Sequence, residues 1–221
     1  MSPTMKTTYI TEPYESLKIN EDTVVCDNEN QVYAVFDGAT SLSGFKDKNG
    51  YSGGYIAANI AKQISDSIIL MIYKDGSHKI FGEKRNHDQG LMLLLKDLKH
   101  RPVDNAKEII MKYVFDLRNR SNIDYGFLNG ESEAAKFIAH GRVKLSELSY
   151  IVLFSDGLIP LVNDPEFDPQ YDEFIKLYTQ SGVEGVKDWI RNLENSDTDC
   201  NKFIRYKAHD DISIIGITLN S

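Results

Sequence analysis

The sequence has no long hydrophobic run. Its apolar stretches, such as Ile68-Ile69-Leu70-Met71-Ile72-Tyr73, are far shorter than the ~20 residues a membrane-spanning helix needs. The first residues, Met1-Ser2-Pro3-Thr4-Met5-Lys6, hold no apolar signal core. Cysteine is scarce: Cys26 and Cys200 stand alone, without metal-ligand spacing, which argues against a zinc module or a disulfide scaffold. Cys26 lies in an apolar run and reads as a small buried hydrophobe. Positive charge is also short. Twenty-five Lys and Arg face 33 Asp and Glu, a formal net charge of -8. That balance argues against nucleic acid or an anionic membrane as the main partner. Repeats, low-complexity segments and linkers are missing. What remains is ordinary globular material, 41% hydrophobic and 26% charged. The expectation is one cytoplasmic domain spanning residues 1–221, long enough for a sizeable core.

Alternating and apolar runs predict strands at 22–26 and 32–36, joined by a turn at Asp27-Asn28-Glu29-Asn30. Residues 41–52 read as a loop, and 54–64 as a helix. A hairpin is expected from 68–73 to 78–81 across Lys74-Asp75-Gly76-Ser77. Helical spacing covers 88–99 and 104–118, with Asp104 as the expected N-cap of the second. Strands are predicted at 125–128, 136–139 and 150–154. Helices follow at 170–180 and 182–194, and a closing strand at 212–219. Strands with interspersed helices, lacking regular βαβ alternation, predict the α+β class.

Three aspartates stand out. Asp37 lies in Val35-Phe36-Asp37-Gly38-Ala39-Thr40, Asp156 in Leu153-Phe154-Ser155-Asp156-Gly157-Leu158, and Asp210 in His209-Asp210-Asp211-Ile212-Ser213. Each adjoins a run that reads as a buried strand. A carboxylate at the end of a buried strand is costly unless compensated, and three together repel one another. A divalent cation, or a pair, removes that cost, and an all-oxygen ligand set favours Mg²⁺ or Mn²⁺ over zinc.

These motifs, in this order, resemble those of the type 2C metal-dependent serine/threonine protein phosphatases. Asn20-Glu21-Asp22 before the strand at 23–26 fits the same pattern, as does Gly53-Gly54 opening a helix at Tyr55-Ile56-Ala57-Ala58. The resemblance implies two stacked antiparallel β-sheets flanked by helices, an α-β-β-α sandwich. It also implies hydrolysis of phosphoserine and phosphothreonine on phosphoprotein substrates. The nucleophile would be a metal-activated water, with no phosphoenzyme intermediate. Asp37 would bridge two Mn²⁺ or Mg²⁺ ions, and the Gly38 carbonyl would join the second. Asp156 and Asp210 would hold the first. Glu21 and Asp22 would act on the second through water. Ser65-Asp66-Ser67 looks like a further family motif, with Asp66 as ligand to a third, weaker ion; a helix C-terminal or turn residue is the alternative for Asp66. That motif follows directly on the first helix, so the domain looks shortened in the middle.

Three positions depart from the family pattern. Ala39 stands where many relatives carry a histidine that protonates the leaving group. Leu17 stands where many carry an arginine that grips phosphate, leaving neighbouring Lys18 as a point charge. Pro160 replaces an acidic residue that some members use on the third ion. His209 reads either as a general acid or as an exposed loop residue. Asp211 reads as a neighbour, since Asp210 holds the leading position of its motif. Two other functions stay open: a pseudophosphatase that keeps the fold as a binding module, and a hydrolase of small phosphoesters.

Overall fold

The computed structural model describes residues 4–15, 18–38, 46–48, 50, 67–81, 89–127, 131–139 and 141–220. Seven strands form among the described residues, in chain order: β1 (Thr4–Glu12), β2 (Thr23–Asp27), β3 (Val32–Phe36), β4 (Ile68–Tyr73), β5 (His78–Phe81), β6 (Leu148–Phe154) and β7 (Ile212–Asn220). Among the described residues, three α-helices accompany them: α1 (Gln89–His100), α2 (Ala106–Arg118) and α3 (Asp172–Asn195). Five strands make one sheet in the order β1-β7-β6-β4-β5, and β2 and β3 make a second, two-stranded one. Every pairing between these strands is antiparallel. The class is therefore α+β.

The larger sheet is buried on both faces, and the alternation of β7 explains how. Ile212 and Ile214 face α3, packing with Val152, Phe154, Phe174, Val186 and Ile190. Ile215, Ile217 and Leu219 face the other way, against Val35 of the small sheet, with Val24 and Tyr33 alongside. A continuous apolar strand such as Ile212-Ser213-Ile214-Ile215 suits such a doubly covered position. Gly216 has a packing reason: a Cβ there would lie 2.3 Å from the Tyr178 hydroxyl oxygen, so only glycine lets α3 lie this close. Helix α3 breaks at Gly182, whose φ of 66° interrupts the helical path. The two helices expected at 170–180 and 182–194 are the two halves of this element.

Three sequence-based expectations need correction. Residues 136–139 are not a strand; Ser132–Phe137 forms a 3₁₀ helix instead. The expected strand at 125–128 reduces, among its described residues, to a single bridge between Tyr125 and Ser121. In both places two or three apolar residues beside polar ones supplied no partner strand, and local turns took the backbone. Asp104 is not the cap of α2; Asn105 stands at that position and makes no side-chain cap bond. Strand β1 was not foreseen. The expected helix at 54–64, Gly53-Gly54 and the shortened middle lie outside the described residues, as do most of the 41–52 loop and Asp66, Ala39 and Leu17.

Among the described residues, no helix is long and apolar enough to cross a membrane.

Candidate active site

Register gathers the acidic motifs at one end of the molecule. In the small sheet Thr23 pairs with Phe36, so Asp22 and Asp37 flank the same end of that hairpin. In the large sheet Phe154 pairs with Ile214 and with Ile68, while Glu12 pairs with Ile212. Asp156, just past β6, and Asp210 and Asp211, just before β7, therefore emerge together. The start of β4 and the finish of β1 lie at this same end.

Close contacts fix the junction. The Ser155 amide donates to the Ser213 carbonyl at 2.9 Å, and the Ser213 amide donates back to Ser155 Oγ at 3.0 Å. Beyond that pair, Asp156–Leu158 makes one 3₁₀ turn. Gly157 lies so close under the Asp211 carbonyl that a Cβ there would come within 2.0 Å of its oxygen, and within 3.2 Å of Asp210 Cβ. The Asp-Gly step is thus needed for close approach of the two Asp-bearing segments.

The segment before β2 is tied to the same place. The Tyr14 and Glu21 amides each donate to the Asp211 carboxylate at 2.8 Å. The Asp22 amide donates to Asn20 Oδ1 at 2.9 Å, and Asn20 Nδ2 donates to Thr11 Oγ1 at 2.7 Å. Ser213 Oγ donates to the same Thr11 oxygen at 2.8 Å. Asp211 is therefore a buried staple, 7% exposed, that fastens the β1–β2 connection to the large sheet at two points.

Asp22 is 6% exposed, and its Oδ2 has no hydrogen-bond partner. Burial pushes its carboxyl well above the usual carboxylate range. The charges of Asp156, Asp211 and Asp210 push the same way, and a hydrogen bond with the Ser155 side chain only partly offsets them. Asp210 is pushed up to about 7, first by burial and then by the charge of Asp156. Its partner Lys207, with Nζ 2.5 Å from Asp210 Oδ1, only partly counters this. The pair is lopsided. Burial alone would lower the Lys207 pKa, but the carboxylates of Asp210, Asp156 and Asp211 outweigh it and hold the ammonium firmly charged. Carboxylates crowded in this way carry more negative charge than their hydrogen bonds compensate.

The remaining expected site residues stand as follows. Asp37 directly follows β3 and is half-buried, and Gly38 is buried. Glu21 is half-buried, with its amide on Asp211. Lys18 is half-exposed; its ammonium contacts the Tyr14 hydroxyl and sits 4.6 Å over the Tyr14 ring centre. His209 Nε2 is 2.9 Å from Asn195 Oδ1, an exposed pairing. Asp66 is outside the described residues. Among the described residues, no group of three or more His, Cys, Asp or Glu is arranged to hold a metal ion as the side chains stand. The donor chemistry nonetheless fits a hard cation, since it is all oxygen and includes one buried, unpartnered carboxylate oxygen.

Sequence reasoning missed Lys207 and Ser155. Ser155 had a signal, being inside the Phe154-Ser155-Asp156-Gly157 motif. Lys207 had none, because its segment has no periodicity that would place it over Asp210. Cys26 is half-buried in β2, and Cys200 is buried, its thiol pushed up by that burial.

Comparison of the chain with protein-family models, with curated proteins and with solved structures gives no match.

Proposed function

We propose that the chain is a metal-dependent phosphatase that hydrolyses phosphoserine and phosphothreonine on proteins, built as a type 2C-like α-β-β-α sandwich. The observation that carries this reading is the buried, unpartnered Asp22 Oδ2 amid the charges of Asp156, Asp210 and Asp211. Asp37, Asp156 and Asp210, with the Gly38 carbonyl, would hold two Mn²⁺ or Mg²⁺ ions. Glu21 and Asp22 would support them through water, and Asp66 would serve a third. When bound, the ions supply Lewis-acid charge for the phosphoryl oxygens and lower the pKa of a coordinated water. The chain's own part is positional. Asp211 and Ser155 hold the acidic turns of both sheets in one place, and Gly157 allows their close approach. Lys18 is the notional phosphate contact that the sequence offers, though its ammonium is engaged with Tyr14.

A second reading has its own support: a pseudophosphatase that binds partners through the same fold. It is favoured because the described carboxylates form no ready-made cage. Assay with p-nitrophenyl phosphate and a phosphothreonine peptide, with Mn²⁺ and after EDTA, separates the two. The phosphatase reading expects Mn²⁺-dependent turnover of both substrates. The peptide should be slower, because Ala39 offers no proton to a poor leaving group; such help is typically worth about 10²–10⁴-fold. Folded, Mn²⁺-loaded protein that turns over neither substrate is a pseudophosphatase.

A further inference from the structure

Lys207 sits where the acidic turns open to solvent. Its ammonium lies 2.5 Å from Asp210 Oδ1, and its charge is also felt by Asp156 and Asp211, yet its side chain remains 46% exposed. Among the described residues, the cations Arg191, Arg205 and Lys18 are committed elsewhere. Arg191 spans Glu194 and the Asp210 carbonyl, each at 2.8 Å. Arg205 is held by Asp197 at 2.9 Å and by the carbonyls of Phe203, Ala208, Glu194 and Asp197. Lys18 lies over Tyr14. A lysine has a long, flexible stem, so its ammonium changes partner without backbone movement.

We infer that Lys207 is the residue that grips the phosphoryl oxygens of the substrate, a phosphate monoester, and of the inorganic phosphate product. The inference rests on the metal-phosphatase reading. Were Asp210 to serve as a metal ligand, the Lys207 ammonium would lose this partner and would be left facing a like charge. The freed ammonium then needs an anion at the same mouth, and the phosphoryl group brings one. Before metal arrives, Lys207 serves as an internal counter-ion for Asp210. The position left without arginine at Leu17 is thereby supplied from the other end of the chain.

The test uses full-length Lys207→Gln and Lys207→Arg, with circular dichroism to confirm folding; Lys207→Met replaces the glutamine variant if that one does not fold. KM for p-nitrophenyl phosphate, the inhibition constant of inorganic phosphate, and Mn²⁺ affinity by calorimetry are measured. Loss of a charge-assisted contact should raise KM and the phosphate inhibition constant about ten- to a hundredfold. The kcat should move much less, because the grip is shared by ground and transition states. Lys207→Arg should restore most of the loss. Mn²⁺ should bind Lys207→Gln several-fold more tightly, because the competing internal cation is gone. An active Lys207→Gln enzyme with wild-type KM and phosphate inhibition overturns the inference and leaves the phosphatase reading intact. Wild-type protein without Mn²⁺-dependent hydrolysis overturns both.

Discussion

Replacing Asp156 by asparagine should cut Mn²⁺-dependent hydrolysis more than about a hundredfold while leaving the metal-free protein more stable. Asparagine keeps the shape of the side chain but removes a negative charge. Changes even to residues that only support metal ligands typically cost 10–100-fold, so loss of a ligand should cost at least that. The stability gain has a separate cause. The Asp156 charge pushes up the pKa values of both Asp22 and Asp210, so it works against folding when no cation is present. Relief on the order of 1 kcal/mol should raise Tm by roughly 2–4 °C in a chain of this size. Asp37→Asn should lose activity similarly. Kinetic assays and thermal melts of the EDTA-treated variants check both parts. Unchanged turnover contradicts the ligand role, and a metal-free variant that melts well below wild type contradicts the charge crowding.

The second large effect is on pH. Asp22 and Asp210 both hold their protons more tightly in the folded chain than in the unfolded one, where a carboxyl has its ordinary value near 3.8. Between that value and about 7, where Asp210 sits, the native state carries more protons than the unfolded state. Stability of the metal-free protein must then fall as pH rises through this window. The loss should be on the order of a few kcal/mol, tempered by the Lys207 contact. Most acidic proteins with paired carboxylates behave oppositely there. This chain also contains such a group: Asp197 is held well below the usual range despite its burial. The amides of Lys202, Phe203 and Asn201 and the Arg205 guanidinium outweigh the desolvation. Its stabilising contribution levels off about one pH unit above the lower end of the window and does not alter the slope beyond that. Urea denaturation in EDTA at several pH values measures the trend, and saturating Mn²⁺ should flatten it. Stability that rises steadily from pH 4 to 7 without metal contradicts the crowding of these carboxylates.

How much of this was legible in the sequence depends on range. The β2–β3 and β4–β5 hairpins were readable because alternation and the turn residues Asp27–Asn30 and Asp75-Gly76 are local signals. Strand β1 was not. Its Thr-rich run, TMKTTYITE, has little apolar alternation and becomes a strand by pairing with β7, some two hundred residues away. The false strand at 136–139 failed for the converse reason, since a short apolar patch found no partner and closed on itself. Asp156 and Asp210 could be placed at strand ends because the runs beside them, Tyr150–Phe154 and Ile212–Ile215, are strongly apolar. What no local pattern revealed was which carboxylate does what. Asp211 is a staple because the amides of Tyr14 and Glu21 reach it across the fold. Asp22 is buried beside Ser155, whose side chain hydrogen-bonds it, and that burial is a tertiary fact.

Calorimetric titration of Mn²⁺ into the metal-free protein tests the central claim most directly, because it depends on neither substrate nor leaving group. The carboxylates of Asp22, Asp37, Asp156 and Asp210 predict saturable binding of two ions. That binding should be reversed by EDTA, greatly weakened in Asp156→Asn, and weakened less in Asp22→Asn. A flat titration with folded wild-type protein, or equal binding by wild type and Asp156→Asn, contradicts a metal site at this end of the sheets.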